Sequence, residues 1–147
     1  MNFSFTFLFC LEIDMPRTTL RPKSLDFQPR PTYPYSPGAS GGGMIFTAGQ
    51  VAWDETGEVT GIGDVAAQTR QTLKNVVSVL HEGGATVDDV IKCNVYLADI
   101  RDFDVMNAEF ATVFPTDPPA RTTVEARLAE ATMLVEIEAV AWVAPKT

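Results

Sequence analysis

The chain has 147 residues, 46% of them apolar, with 11 Lys or Arg against 19 Asp or Glu and a net charge of −8. That length and apolar content suit one domain with its own core and exclude a disordered composition. An acidic balance without any Lys/Arg run excludes the clustered cations that nucleic acid or an anionic membrane surface requires, while one arginine can still hold a small carboxylate.

Residues 1–14, MNFSFTFLFCLEID, are apolar but too short for a membrane span, and they lack the basic lead of a signal peptide. The expectation is a disordered or mis-assigned extension, with Met15 as the true start and residues 15–147 as the single domain. Residues 15–43 are rich in Pro, Ser, Thr and Gly and read as one short strand at most, then loop. MIFTAG, 44–49, reads as a strand after a turn at Gly41-Gly42-Gly43, and 54–63 as a hairpin-like connection.

Asp64 is placed to cap a helix whose periodic positions are 65, 69, 73, 76, 77 and 80, with Gly83-Gly84 as its stop. His81, the only histidine, falls in the last turn and reads as a solvated helix-end residue. The two cysteines, Cys10 and Cys93, form no CxxC and no disulfide framework, so the usual soft metal ligands are lacking. VIKCNVYL, 90–97, alternates as a half-buried strand, with Ile91, Cys93, Val95 and Leu97 on the inner face. A second helix is predicted over about 101–114, with an apolar face of Phe103, Met106, Phe110, Val113 and Phe114. Asn107 falls on that face, either as a polar brace in the core or as a site residue.

Two strands, about 120–128 and 133–143, close the chain. The order β, β, α, β, α, β, β predicts an α+β fold, a mixed sheet with both helices packed on one face. The other face would be left bare, which suits burial in an oligomer. A hairpin centred near residue 129 or 130 would set Arg121 opposite Glu138 and Thr123 opposite Glu136, clustering all four on one face. A one-residue slip would break that cluster. It reads equally as a surface salt bridge or as a carboxylate-binding site.

The segments YPYSPG, IFTAGQ, QTRQTLKNV, VIKCNVYLADIRDF, NAEF, PPARTTVE and VEIEAVA, spread over residues 31–143, resemble the RidA/YjgF family of imine and enamine deaminases. The resemblance implies a chorismate mutase-like fold and a cytoplasmic homotrimer with intersubunit clefts. It implies no metal or cofactor, and hydrolysis of 2-aminoacrylate, 2-iminopropionate or 2-iminobutyrate to 2-keto acids and ammonia. It further implies that Arg121 grips the substrate carboxylate and that Glu136 orients or activates water. Tyr35, Gly49, Asn107 and Thr123 would then border the substrate.

Pro37, Ala48 and Thr123 stand where the family often has glutamine, serine and cysteine, and 126–134 is shifted against its pattern. These departures leave open a larger enamine such as 2-aminomuconate as substrate. A trimeric protein that binds 2-keto acids without turnover would keep Arg121 and have no need of Glu136. Ribonuclease activity, attached to some relatives, is disfavoured by the charge of −8.

Overall fold

A computed structural model describes residues 16–27 and 34–144. The extension at 1–14 lies outside these residues. Eight elements follow one another: β1 Thr18–Leu20, β2 Gly38–Gly41, β3 Met44–Thr47, α1 Val65–Glu82, β4 Val90–Leu97, α2 Phe103–Val113, β5 Ala120–Glu125 and β6 Val135–Trp142. The six strands make one sheet in the order β1-β2-β3-β6-β4-β5. Only β4 and β5 are parallel; every other neighbouring pair is antiparallel. The fold is the expected α+β sandwich. Among the described residues no helix is long and apolar enough to cross a membrane.

Strand β2 has no counterpart in the sequence reading, because GASG offers no apolar alternation. Its partner β3 supplies the pattern, and Gly42 and Gly43, with φ of 61° and 80°, close a two-residue hairpin between them. Helix α1 starts where Asp64 accepts a hydrogen bond from the Ala67 amide at 3.0 Å, a cap that contributes about 1 kcal/mol. It ends at Gly83, and His81 is exposed in its last turn.

The buried stripe of α1 includes three polar positions that periodicity passed over, Gln68, Thr72 and Asn75. Two of them hold loops. Gln68 donates to the Thr132 carbonyl at 2.7 Å and accepts from the Leu134 amide at 2.8 Å. Asn75 donates to the carbonyls of Val51 at 2.9 Å and Trp53 at 3.0 Å. Buried amides satisfied in this way fix the backbone they touch.

The core lies between the helices and one face of the sheet. Leu73, Val76 and Leu80 of α1 and Met106 and Phe110 of α2 join Ile45, Cys93, Val95, Leu97, Val135 and Ile137. Strand β4 departs from simple alternation. A register irregularity between Val90 and Lys92 turns Val90 inward and leaves Ile91 exposed, so Ile91 is not part of the inner face.

The predicted hairpin of the last two strands does not form. Helix α2 returns the chain so that β5 enters parallel to β4, as a parallel pair requires a crossover. Strand β6 takes the opposite side of β4. Strand β4 therefore separates the two, and the 126–134 segment passes its end: Ala126 donates to the Leu97 carbonyl and Ala98 to the Leu134 carbonyl.

Candidate active site

The changed pairing redistributes the side chains. Arg121 lies opposite Cys93 and Thr123 opposite Val95, both inner-face partners. Glu136 lies opposite Tyr96 and Glu138 opposite Asn94, on the outer face. Arg121 and Thr123 thus share the helix side, and Glu136 and Glu138 share the other. The four-residue cluster predicted from a hairpin is replaced by two half-sites on opposite faces.

The first half-site is built on β5 and α2. The Arg121 guanidinium carbon sits 4.7 Å from the centroid of the Phe110 ring and 5.5 Å from that of Phe103. Its Nη2 donates to Asn107 Oδ1 at 2.7 Å. Asn107 is exposed rather than a brace in the core. It sits one residue past buried Met106, at the edge of the apolar stripe where α2 faces β5. Aromatic faces and one amide therefore hold the guanidinium, and among the described residues no carboxylate pairs with it. Most of its five donors remain for a ligand. A hollow of about 250 Å³ lies beside it, lined by Phe114, Pro118 and Pro119 among others.

Thr123 follows two residues later on the same face. Its Oγ1 is buried and has no hydrogen-bond partner among the described residues. Cys93, opposite Arg121, is fully buried, and burial pushes its thiol up to about 12 against the opposing pull of Arg121 and Lys92. It is a core residue, as its alternation predicts, and not a nucleophile.

The second half-site is a cleft of about 840 Å³ that collects Tyr35, Gly49 and Glu136. Gln50 and Ile137 exchange backbone hydrogen bonds of 2.8 and 2.9 Å, which fasten the end of β3 against β6. The Gln50 side chain donates to the carbonyls of Pro37 and Ala48, at 3.2 and 3.1 Å. The Ala48 amide also donates to Pro37, at 2.8 Å. The main chain at Pro37 and Ala48 thus joins one backbone knot beside Gly49. A β-carbon on Gly49 would meet the Glu136 side chain, so only glycine leaves that carboxylate its place.

Glu136 is half-buried. Burial first, and then the charge of Glu138, raise its carboxyl above the usual range. Glu138 is itself held by Asn94 Nδ2 at 2.7 Å and the Tyr96 hydroxyl at 3.1 Å. Sequence reading named Arg121, Asn107, Tyr35, Gly49, Glu136 and Thr123. It missed Gln50 and Asn75, which position the cleft, and Trp53, which lines it. For Gln50 and Asn75 the signal was available, since a lone amide in an apolar stretch must bind backbone.

The profile of the family described as endoribonuclease L-PSP matches residues 26–143. A RutC family protein of Pyrococcus horikoshii is 43% identical over 115 residues, which cover 78% of this chain and 90% of that one. The solved YjgF gene product of E. coli is 37% identical with a TM-score of 0.75, over 85% of this chain and 98% of that one. E. coli TdcF, solved with bound serine, is 31% identical with a TM-score of 0.76, over 86% and 99%. With a profile match over most of its length and these relatives in sequence and structure, the chain belongs to the RidA/YjgF family.

Proposed function

We propose that the protein is a cofactor-independent imine and enamine deaminase whose site forms between copies of the chain. The observation that carries this reading is Arg121, braced by Asn107 and Phe110 and left without an anion among the described residues. A planar guanidinium so placed suits a substrate carboxylate. Serine bound to the relative TdcF fits a ligand of the amino-acid type.

The second component is Glu136 on the opposite face, so each site takes Arg121 from one copy and Glu136 from the next. The outer face supports this assembly. Phe46 and Trp142 are about half exposed there, and Val124 stands opposite Tyr96. Such an apolar patch suits burial against identical chains, and a homotrimer meets the requirement for a closed, head-to-tail ring.

In the proposed reaction Arg121 fixes the carboxylate of R–C(=NH)–COO⁻, the tautomer of an enamine such as 2-aminoacrylate. Glu136 orients a water and takes its proton as the oxygen attacks the imine carbon. The nitrogen collects two protons, one returned by Glu136 and one given up by the new hydroxyl as the carbonyl forms, and leaves as ammonia. The product is R–CO–COO⁻. A carboxyl with a raised proton affinity suits this exchange in both directions. Tyr35 and Gly49 border the substrate, and the buried Thr123 hydroxyl lies on the Arg121 side.

The test generates 2-iminopropionate and 2-iminobutyrate with an amino-acid oxidase and traps residual imine with semicarbazide. Wild-type protein accelerates imine loss and Arg121→Ala does not. Equal traces with and without wild-type protein would sink the reading. A non-catalytic 2-keto-acid binder is the second reading, and turnover that survives in Glu136→Gln would remove the catalytic role. RNA cleavage, which the family description endoribonuclease L-PSP suggests, is opposed by the charge of −8.

A further inference from the structure

One face of α1 is tied to both stretches of chain that carry Glu136. Gln71 and Asn75 follow Gln68 by three and seven residues, so the three amides share one side of the helix. Gln68 is fully buried, Asn75 almost so, and Gln71 half-buried. Gln68 uses both ends of its amide, Nε2 on the Thr132 carbonyl and Oε1 on the Leu134 amide. Asn75 Nδ2 is shared between the carbonyls of Val51 and Trp53. Gln71 donates to the same Trp53 carbonyl at 2.8 Å and to Asn75 Oδ1 at 3.0 Å, which joins the last two amides into one network.

These anchors reach Glu136 from both sides. Leu134 stands two residues before it, at the entry to β6. Just after it, Ile137 exchanges backbone hydrogen bonds with Gln50, and Gln50 leads directly into Val51. Gly49, which shares its space with the carboxylate, precedes Gln50. The three amides therefore act on the main chain that carries the carboxylate. A backbone group bonded to a buried amide cannot shift without leaving a polar atom unpaired away from water, so the hold is stiff.

Resting on the deaminase reading, we propose that Gln68, Gln71 and Asn75 are positioning residues: their ladder of amides on α1 sets where Glu136 stands relative to Gly49 and to the water it orients. Packing alone does not call for amides here. Leu or Met would fill a core-facing position of α1 as well, whereas the paired bonds of Gln68 need a donor and an acceptor on one side chain. Thr72 supplies the contrast. It is fully buried on the same face, between Gln68 and Asn75, and its Oγ1 has no hydrogen-bond partner among the described residues.

The experiment measures kcat and KM on 2-iminopropionate generated in situ, with the full chain, for Gln68→Met, Asn75→Leu and Thr72→Val. The first two keep the side-chain bulk and remove the bonds; the third removes a hydroxyl that bonds to neither loop. Gln68→Met and Asn75→Leu are expected to lose about 10–100-fold in kcat, as a displaced reacting group does. KM should stay close to wild type, because Arg121 of the adjoining copy still holds the carboxylate. Thr72→Val is expected to keep both constants. Amide hydrogen exchange should quicken at Gln50 and Ile137 in the two amide variants and stay unchanged in α2.

Wild-type kcat in folded Gln68→Met and Asn75→Leu overturns the proposal. So does an equal loss in Thr72→Val, or a KM that rises in step with the fall in kcat, since either marks general loosening of the fold. Where the buried substitutions prevent folding, Gln71→Met, at a half-buried position, decides by the same separation of kcat from KM. If wild-type protein turns over no imine, the deaminase reading fails by itself. Quickened exchange at Gln50 and Ile137 then upholds the ladder's grip on the Glu136 strand, and unchanged exchange removes it.

Discussion

Gly49 and Glu136 occupy one shared space: a β-carbon built on Gly49 would lie 1.8 Å from Glu136 Oε1 and 2.7 Å from its Cδ. The glycine is part of the definition of the carboxylate's position. Gly49→Ala should displace Glu136 and cut kcat by about 10–100-fold, since a misplacement of about 1 Å can cost that much. The melting temperature should change little, because the obstacle is the end of a half-exposed side chain. A variant that keeps full kcat would show that the position of Glu136 does not matter to the reaction.

Arg121 separates charge from geometry. Arg121→Lys retains a cation but loses the fork and the stacking on Phe110. KM for the imine should rise by roughly 10–100-fold, the equivalent of one charged hydrogen bond of about 1.5–3 kcal/mol. Asn107→Ala releases the guanidinium without removing it and should cost less than either substitution of Arg121. Steady-state kinetics on the three variants give the order.

The carboxyl of Glu136 sets a pH dependence. Its proton is held more tightly than the ordinary value of 4.5, chiefly through burial and then through Glu138. In the proposed reaction the water-orienting base must be ionised, so the rate should rise as pH climbs through this raised value. Glu138→Gln removes the neighbouring charge and should move the acid limb to lower pH. A limb that stays in place would assign it to another group.

The same shift has a consequence for stability. The folded chain holds this proton more tightly than the unfolded chain, so the contribution of Glu136 is fully present below pH 4.5 and is lost as pH rises through the raised folded value. Glu136→Gln removes this loss. It should melt at a higher temperature than wild type at neutral pH and lose the difference in acid. Thermal unfolding at several pH values gives the comparison.

The split of the site between faces allows a complementation test. Arg121→Ala and Glu136→Gln are each inactive in the proposed reaction. When they are unfolded together and reassembled at equal amounts, about one quarter of the sites should regain both wild-type residues, as random mixing in a head-to-tail ring requires. Phe46→Glu, at an exposed apolar position of the outer face, should lower both the oligomer mass and the activity. Activity that does not return on mixing would place the whole reaction within one chain.

Much of this arrangement was legible in the sequence. Asp64, the Gly83 stop and the alternation of Cys93, Val95 and Leu97 follow from local rules, and the structure agrees. What escaped was non-local. The partner of β5 depends on how α2 returns the chain, which no short-range pattern encodes. The residue types at 121, 123, 136 and 138 drew attention, yet their faces were misassigned because register and partner were assumed together. Ile91 was misplaced by an irregularity one residue long. Asn107 was misplaced by a single position on the helix.

The two outer strands of the sheet bear on how its rim meets other chains. Strand β1 is three residues long and lies between Pro16 and Pro22; β5 follows Pro118-Pro119 and carries Arg121 and Glu125. Short, proline-flanked and charged borders are poor templates for adding strands from other molecules. A chain that exposes Phe46 and Trp142 on its outer face can therefore associate through that face without feeding fibril growth at its rim.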